Sequence, residues 1–383
     1  MIKHGLKTIC LICLLSLSGC WNSKDIQNLD YVTAIGLDYL NGKYITYVQV
    51  LNFTNVGRSE TVEVGKIVPI WIGRGEGKTV SQSLSSIYST SQMRIFWGHV
   101  KSIVCSENLL KHGVEEAYNA MNRFGEVRYN ILIYGTKENL EDIFVQKSIF
   151  NLSPLDTIMF TPEQIYAQRS SILSISGNRF IAEINEPGEP AMLPSLSINR
   201  RVWKEDKKNK SMLQIDGAYF FHGDKMAAWL SEAELAGARW TQKQLKRSLI
   251  NVPAEGPTIA SIVLINPKYK VDFVIKNGEV LFDIHLKLDA TLDEMEEDSS
   301  IRKLEQLAET VVKDEIMSCF RLGIDRKIDV LRLEEALYRN RPKQWHALHK
   351  DKKYILNHDS LKSINVKVNL INSGKYKGRV TKS

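Results

Sequence analysis

The sequence has 383 residues, of which 43% are hydrophobic and 25% are charged, and its formal net charge is +7. This composition is that of an ordinary globular protein, and the length predicts two domains, or three if one region folds separately. A nucleic acid is not expected as a partner, because no recognised binding motif is present and the basic run KEDKKNK (204–210) reads as a short polar linker. After residue 20, no apolar run approaches the length that spans a membrane.

The N-terminus has the pattern of a bacterial lipoprotein signal. Lys3 and Lys7 precede an apolar core at 8–17, and the stretch Leu-Ser-Gly-Cys at 17–20 fits a lipobox. We therefore predict a cleaved signal peptide at 1–19, a diacylglyceryl and N-acyl group on Cys20, and a polar tether at 20–29. Lipid on Cys20 would anchor the mature chain at the outer face of a membrane. The alternative is an ordinary export signal that ends in cysteine.

Residues 30–200 are predicted to form an N-terminal α/β domain. Asn41-Gly42 is a strong signal for a hairpin turn between two strand-like runs. Strands then alternate with helices, and 150–200, which is less regular, is a candidate separate subdomain. Three prolines within 187–194 suggest a boundary or hinge. The predicted elements are strands at 31–38, 44–52, 67–72, 99–105 and 129–135, and helices at 79–90, 108–123, 137–145 and 162–182.

The stretch GRGEGKT (73–79) raises the question of a phosphate-binding loop. A Walker A motif requires a first glycine five positions before Gly77, where this sequence has Ile72. The glycines are out of register, and ATP is scarce outside the cytoplasm. We therefore interpret the stretch as a flexible strand-to-helix connection in which Thr79 or Ser81 caps the helix.

Residues 201–383 are predicted to form a C-terminal α+β domain, with a long helix on an antiparallel-rich sheet. Its clearest feature is the alternating hairpin at 270–292, which turns at Asn277-Gly278. Gly323 is placed just beyond the end of the long helix. The other predicted elements are a hairpin at 212–221 and 225–230, helices at 301–320 and 330–340, and a strand at 364–370. The predicted fold class of the whole chain is α+β, with mixed and antiparallel sheets.

No catalytic constellation is visible in the sequence. His346 and His349 lie near His358, but no further ligand has helical spacing with them, so surface histidines are the favoured interpretation. Cys105 and Cys319 have apolar neighbours and are expected to be buried free thiols. We predict no enzyme activity, no metal site and no cofactor.

Several ordered segments form a recognisable series: GCWNSKDI (19–26), DYVTAIGLD (30–38), GKTVSQSLSSI (77–87), FWGHVKSIVCSE (96–107), HGV (112–114), GAYFFHGDKMAAWLSEAELAG (217–237), FRLGID (320–325) and PKQW (342–345). This series resembles the Ger(x)C spore germination lipoproteins, the C subunits of nutrient germinant receptors of the GerA type. Asn22, where the family usually has Asp, and the polar run RLG (321–323) depart from its pattern.

The resemblance implies a lipid-anchored subunit, at the outer face of the cell membrane or the inner spore membrane, that assembles with polytopic A-type and B-type subunits. Its role would be structural or signalling, in germination triggered by nutrients. Polar and aromatic residues cluster at two predicted turns, which we take as possible partner interfaces: Phe96, Trp97 and His99, and Trp229, Glu232 and Glu234. Two alternatives remain open, a solute-binding lipoprotein that captures a nutrient directly and a secreted envelope enzyme.

Overall fold

The computed structural model describes residues 29–51, 69–123, 127–128, 130–188, 190–350 and 355–372. Within these ranges the fold is α+β, as predicted, with two separate sheets and packed helices. The predicted signal peptide (1–19), Cys20 and all but the last residue of the tether lie outside the described residues. None of the described helices combines the length and the apolar character needed to cross a membrane.

The first sheet has ten strands, in the order β10-β9-β8-β6-β5-β1-β2-β3, with β4 beside β1 and β7 beside β6. Its first hairpin turns at Asn41-Gly42, as predicted, and both residues have positive φ. The strands are β1 (Leu29–Leu40), β2 (Lys43–Leu51), β3 (Ile70–Gly77), β4 (Arg94–Phe96), β5 (Ser102–Ser106), β6 (Leu132–Thr136), β7 (Ile175–Ser176), β8 (Met192–Glu205), β9 (Lys208–His222) and β10 (Lys225–Ser231).

Strand direction gives this sheet two distinct edges. Strands β1, β5, β6 and β8 are parallel, and β10 runs the same way because two antiparallel pairings separate it from β8. We call the end where these strands finish the carboxyl edge, and the end where they begin the amino edge.

Helices cover both faces of the first sheet because successive strand residues point to opposite sides. On β1, Ile35 packs in a cluster with residues of α1, α2, α3 and α6, whereas Ala34 packs with residues of α4. The helices of this half are α1 (Val80–Tyr88), α2 (Glu107–His112), α3 (Glu115–Asn122), α4 (Leu140–Phe144), α5 (Pro162–Gln168) and α6 (Gly177–Asn185).

The glycines of GRGEGKT lie in a strand, so the predicted flexible connection is wrong. Strand β3 continues to Gly77, and a Cβ at Gly75 would lie 1.9 Å from the backbone oxygen of Ser83 on α1. The glycines therefore let α1 approach β3 closely, and they do not form a phosphate-binding loop. Thr79 caps α1, as predicted, and its hydroxyl accepts a hydrogen bond from the backbone N–H of Gln82 at 3.1 Å.

Two predicted helices are interrupted. Helix α2 ends at Gly113, where φ is +141° and the next amide, of Val114, donates to the backbone oxygen of Asp224. The turn between β9 and β10 thus occupies the space into which a continuous helix would run. The stretch predicted as one helix at 162–182 contains β7, because Ile175 pairs with Ile133 of β6.

The basic run 204–210 is the tip of a hairpin and not a linker. Asp206 and Lys207 have positive φ and join β8 to β9 as a two-residue turn. The division predicted between residues 200 and 201 falls inside β8. Strands β9 and β10, predicted from sequence as a hairpin turning at 222–224, complete the first sheet.

The second sheet has four strands in the order β11-β12-β13-β14, with β14 parallel to β13 and the other pairs antiparallel. The predicted turn at Asn277-Gly278 is confirmed, with positive φ at both residues. The elements of this half are β11 (Ser248–Val252), β12 (Ala260–Lys276), β13 (Glu279–Met295), β14 (Leu361–Asn372), α7 (Ile301–Arg326), α8 (Leu333–Asn340) and α9 (Pro342–Leu348).

Helix α7 is longer than predicted. It includes Gly323 and ends at Lys327, which has the left-handed conformation. A Cβ at position 323 would lie 2.7 Å from the backbone oxygen of Ile328. Gly323 therefore lets the chain that follows the helix fold back closely against it, and it does not end the helix.

The two halves share their core through β9. Tyr219 and Phe221 pack with the helices of the first half. Ala218 and Phe220, on the opposite face of the strand, pack with the second sheet and α7. Strand β9 thus contributes apolar side chains to both hydrophobic clusters.

Candidate functional site

The two predicted interface clusters lie at opposite edges of the first sheet. Phe96 and His99 precede β5 and lie at the amino edge. Trp229, at the end of β10, and the following Glu232 and Glu234 lie at the carboxyl edge. Phe96 pairs with Tyr31, whereas Ser231 at the end of β10 is in register, through the intervening strands, with Leu37; the two levels are therefore roughly 20 Å apart along the strands, and the five strand spacings from β1 to β10 add about 24 Å across the sheet. One compact partner site could not contain both clusters.

At the amino edge, Tyr31, Phe96 and His99 form an aromatic group. The ring centroid of Tyr31 lies 5.8 Å from that of Phe96 and 5.0 Å from that of His99. Partial burial lowers the pKa of His99, and the positive charges of Arg128 and Lys101 lower it further. His99 is therefore neutral at pH 7. Trp97, the third predicted residue, is 4% exposed and packs in the core.

An apolar groove of about 480 Å³ extends the amino edge beside this aromatic group. Its lining includes Leu29, Tyr31, Trp71 and Met93. Trp71, on the edge strand β3, is 70% exposed. The sequence analysis did not identify Trp71, because IVPIWI has the pattern of a buried apolar strand. Trp71 lies near the start of the edge strand β3, and pairing with β2 fixes this position.

At the carboxyl edge, the predicted residues have intramolecular partners. The Lys137 ammonium lies 3.3 Å from the ring centroid of Trp229, and Glu232 forms an ion pair with Arg169 at 2.6 Å. Glu234 accepts hydrogen bonds from the hydroxyl and the backbone N–H of Ser231, both at 2.7 Å. These two hydrogen bonds lower the pKa of Glu234. Glu234 therefore stabilises the turn after β10.

A polar crevice of about 580 Å³ opens at the carboxyl edge, where ligands often bind in α/β sheets. Asp38, Ser106 and Lys137 are among the residues that line it. Ser106 donates a short hydrogen bond to Asp38 Oδ1, which Asn108 Nδ2 also approaches at 3.5 Å. The sequence analysis did not predict this crevice. The position of Asp38 near the end of a predicted strand is the feature of the sequence that could have indicated it.

The two described cysteines and the metal-ligating side chains were natural candidates for reactive groups. Cys105 and Cys319 are free and buried, as predicted, and burial raises the pKa of each thiol to about 12. Both are therefore protonated and unreactive at neutral pH. Across the described ranges, no three His, Cys, Asp or Glu side chains come close enough to hold a metal ion.

One predicted surface histidine is not at the surface. His346 and His358 are exposed, but only 11% of the His349 side chain is exposed, and its Nε2 lies 2.8 Å from Glu334. The expectation for His349 was wrong because helices α8 and α9 fold against each other and enclose it. This pair lines a further cavity, of about 240 Å³, between the two halves.

Comparison with known proteins gives consistent matches over nearly the whole chain. Residues 22–198 match the family model described as "Spore germination protein N-terminal domain", and residues 216–374 match "Spore germination B3/ GerAC like, C-terminal". Among curated proteins, the chain is 21% identical to Spore germination protein KC of Bacillus subtilis (strain 168), over 92% of each chain. It is 22% identical to Spore germination protein B3 of the same organism, over 88% of this chain and 89% of that protein.

A solved structure shares the fold. The crystal structure of the GerBC protein aligns with a TM-score of 0.53 and 18% identity, and the alignment covers 91% of this chain and 100% of that one. At this identity the likeness concerns the fold.

Proposed function

Because the chain belongs to the spore germination family whose N-terminal and C-terminal models it matches, we propose that it is the lipid-anchored subunit of a nutrient germinant receptor. The family match over 22–198 and 216–374 is the observation that carries this proposal. The subunit acts with polytopic A-type and B-type membrane subunits, and its role is structural or signalling and not catalytic. The protonated, buried thiols of Cys105 and Cys319 support a non-catalytic role.

We propose that Cys20 carries the lipid and so determines which edge of the sheet faces the membrane. Leu29, the first residue of β1, follows Cys20 by nine positions along the chain. At about 3.5 Å per residue, an extended tether reaches roughly 30 Å. The amino edge, where Leu29 lies, is therefore held within about 30 Å of the bilayer, and the carboxyl edge lies roughly 20 Å farther along the strands.

This position favours the amino edge as the surface that meets the polytopic subunits. Trp71 is largely exposed there, and the Tyr31–Phe96–His99 group lies beside the same groove. Exposed aromatic residues are typical anchors of protein interfaces. Trp229, Glu232 and Glu234 are farther from the bilayer and already have partners within the chain.

Replacement of the anchoring thiol tests the proposed function. In spores that carry Cys20→Ala, we expect the protein to be lost from the membrane fraction, and germination in response to nutrients to fall to the rate of a strain that lacks the gene. Cys319→Ala is the control, because it also removes a thiol but leaves the anchor intact; this variant should remain in the membrane fraction. Normal germination with Cys20→Ala, at normal nutrient doses, would contradict the proposal.

A further inference from the structure

The polar crevice at the carboxyl edge lies where the chain leaves two neighbouring parallel strands toward opposite faces of the sheet. After β5 the chain enters α2, whose Leu110 packs in the same cluster as Ile35 of β1. After β6 it enters α4, whose Phe144 packs with Ala34 on the other face. In open α/β sheets, a crevice forms beyond the carboxyl ends of the strands at such a switch point, and ligands bind there.

The base of this crevice is a row of three polar residues on adjacent strands. Ser106 of β5 is paired with Thr136 of β6, and the register between β1 and β5 places Asp38 on the other side of Ser106. Residues at equal levels of parallel strands point to the same face, and two strand spacings of about 4.8 Å separate the ends of the row by roughly 10 Å. Ser106 and Thr136 are buried, whereas Asp38 is partly exposed.

The side chains of the lining that solvent can reach stand in two groups, one at each end of this row. Asp38 and Asn108 form the first group, with 3.5 Å between Asp38 Oδ1 and Asn108 Nδ2. Glu138 and Asn139, which follow Thr136 along the chain, form the second. Asn108 and Asn139 are exposed, and so is 25% of the Glu138 side chain. A molecule in the crevice would therefore meet carboxylates and carboxamides at both ends.

The charges around the crevice cancel. The described lining has three carboxylates and one ammonium, and two cations outside it pair with two of these carboxylates. Glu138 forms an ion pair with Arg200 at 3.4 Å, and Glu107 forms one with Lys111. The ammonium of Lys137 offsets the remaining carboxylate. A neutral ligand therefore suits this lining better than an ion of either sign.

The two groups offer both hydrogen-bond acceptors and hydrogen-bond donors. The carboxylates of Asp38 and Glu138 accept. Asn139 Oδ1 already accepts from the backbone N–H of Glu141 at 2.7 Å, so the amide nitrogen of this side chain is the group that can donate to a ligand. A hydroxyl group donates and accepts, whereas an ammonium only donates and would leave the amide N–H groups without an acceptor. The lining therefore favours a ligand with several hydroxyl groups.

The dimensions of the crevice fit a molecule with one ring. Its volume of about 580 Å³ lies within the range of about 300–1,000 Å³ that is typical of small-molecule sites. The row is roughly 10 Å long, and one O–H···O hydrogen bond of about 2.8 Å at each end leaves roughly 4–5 Å between them. This remaining distance is the width of a single six-membered ring.

We propose that this crevice binds a small neutral polyol built on one six-membered ring. Hydroxyl groups on one side of the ring contact Asp38 and Asn108, and those on the opposite side contact Glu138 and Asn139. The site goes beyond the proposed receptor role and does not depend on the lipid at Cys20.

Four probes with the same carbon ring test the proposal on the purified full-length chain in detergent. Myo-inositol and scyllo-inositol carry a hydroxyl on every ring carbon, cyclohexanol carries one hydroxyl, and cyclohexylamine carries one ammonium. In saturation-transfer NMR titrations, we expect saturable binding of at least one inositol, and binding of cyclohexanol and cyclohexylamine at least about tenfold weaker. Absence of saturable binding by both inositols would overturn the proposal. Tighter binding of cyclohexylamine would also overturn it, because the crevice would then be a cation site.

Variants of the first group place the binding in this crevice. Asp38→Asn removes a charged acceptor and should weaken inositol binding at least about tenfold, and Asn108→Ala should weaken it about fivefold. Asn209→Ala, the same change at an exposed position of the β8–β9 hairpin, is the control and should leave binding unchanged. If Asp38→Asn fails to fold, the comparison of Asn108→Ala with Asn209→Ala decides. Equal inositol affinity of these two variants would show that the polyol binds elsewhere.

Discussion

At the scale of single residues, the second half of the chain holds two partly buried carboxyl groups in different ways. Glu315 accepts hydrogen bonds from Arg239 Nη2 at 2.6 and 2.8 Å and from Trp240 Nε1 at 2.7 Å. Asp329 accepts one from the backbone N–H of Glu334 at 2.7 Å. Burial, followed by repulsion from Glu334, raises the pKa of Asp329 to about 7. Asp329 therefore changes charge near neutral pH.

Titration of Asp329 predicts how stability depends on pH. The folded chain holds the proton of Asp329 more tightly than the unfolded chain, in which the pKa of Asp is about 3.9. The contribution of this protonated carboxyl to the unfolding free energy is therefore fully present below about pH 3.9 and is lost as the pH rises through 7. Asp329→Asn keeps the oxygen that accepts from Glu334 but does not titrate. The unfolding free energy of the variant minus that of the wild type should therefore increase by about 2 kcal/mol from pH 5 to pH 8.

Urea unfolding of both proteins at the two pH values measures this difference. Asp314→Asn, which changes an exposed residue of α7, is the control and should follow the wild type at both values. Parallel pH profiles for Asp329→Asn and the wild type would show that the Asp329 carboxyl does not titrate in this range.

At the scale of elements, the sequence correctly predicted the features of the structure that depend on neighbouring residues alone. The hairpins at Asn41-Gly42 and Asn277-Gly278 were predicted correctly because both turns require positive φ, which Asn and Gly tolerate. GRGEGKT was misread because its conformation depends on α1, which packs against the strand. The position of His99 in a turn and that of Trp229 within a strand could be predicted. The location of these two residues at opposite edges of the sheet could not be predicted, because it depends on the direction of every strand between them.

The contact between β3 and α1 gives a prediction for Gly75. A methyl group there would lie 1.9 Å from the backbone oxygen of Ser83, so the strand and the helix would have to separate. We expect Gly75→Ala to lower the unfolding free energy by at least about 2 kcal/mol, measured by chemical denaturation. Lys78→Ala, at an exposed position of the same motif, should change it by less than about 0.5 kcal/mol. If Lys78→Ala were the more damaging variant, the packing account of this motif would be wrong.

At the scale of the whole molecule, one strand joins the two halves while the two edges of its sheet remain far apart. Strand β9 sends Tyr219 and Phe221 into one core and Ala218 and Phe220 into the other, so both halves stabilise it. The strands of the sheet run continuously from one edge to the other. A partner held in the bilayer would contact the amino edge, and the carboxyl edge would remain outside that contact.

Paired substitutions of exposed tryptophans test this orientation. Trp71 lies at the amino edge, and Trp203, on β8 near the tip of the β8–β9 hairpin, lies beyond the carboxyl edge; both side chains are largely exposed. Because an interface tryptophan commonly contributes 2 kcal/mol or more, Trp71→Ala should weaken binding of the polytopic subunits by about 30-fold. His99→Ala should act in the same direction. Trp203→Ala and Trp229→Ala should leave binding unchanged.

Recovery of the polytopic subunits with the chain from detergent-solubilised spore membranes is the measurement. Each variant is compared at equal amounts of the recovered chain, so that a loss of folded protein is not mistaken for a loss of contact. The opposite pattern, in which Trp229→Ala releases the partners and Trp71→Ala does not, would place the interface at the carboxyl edge. Contact there would require the partners to extend roughly 20 Å along the strands, beyond the edge that the proposed lipid on Cys20 would hold near the bilayer.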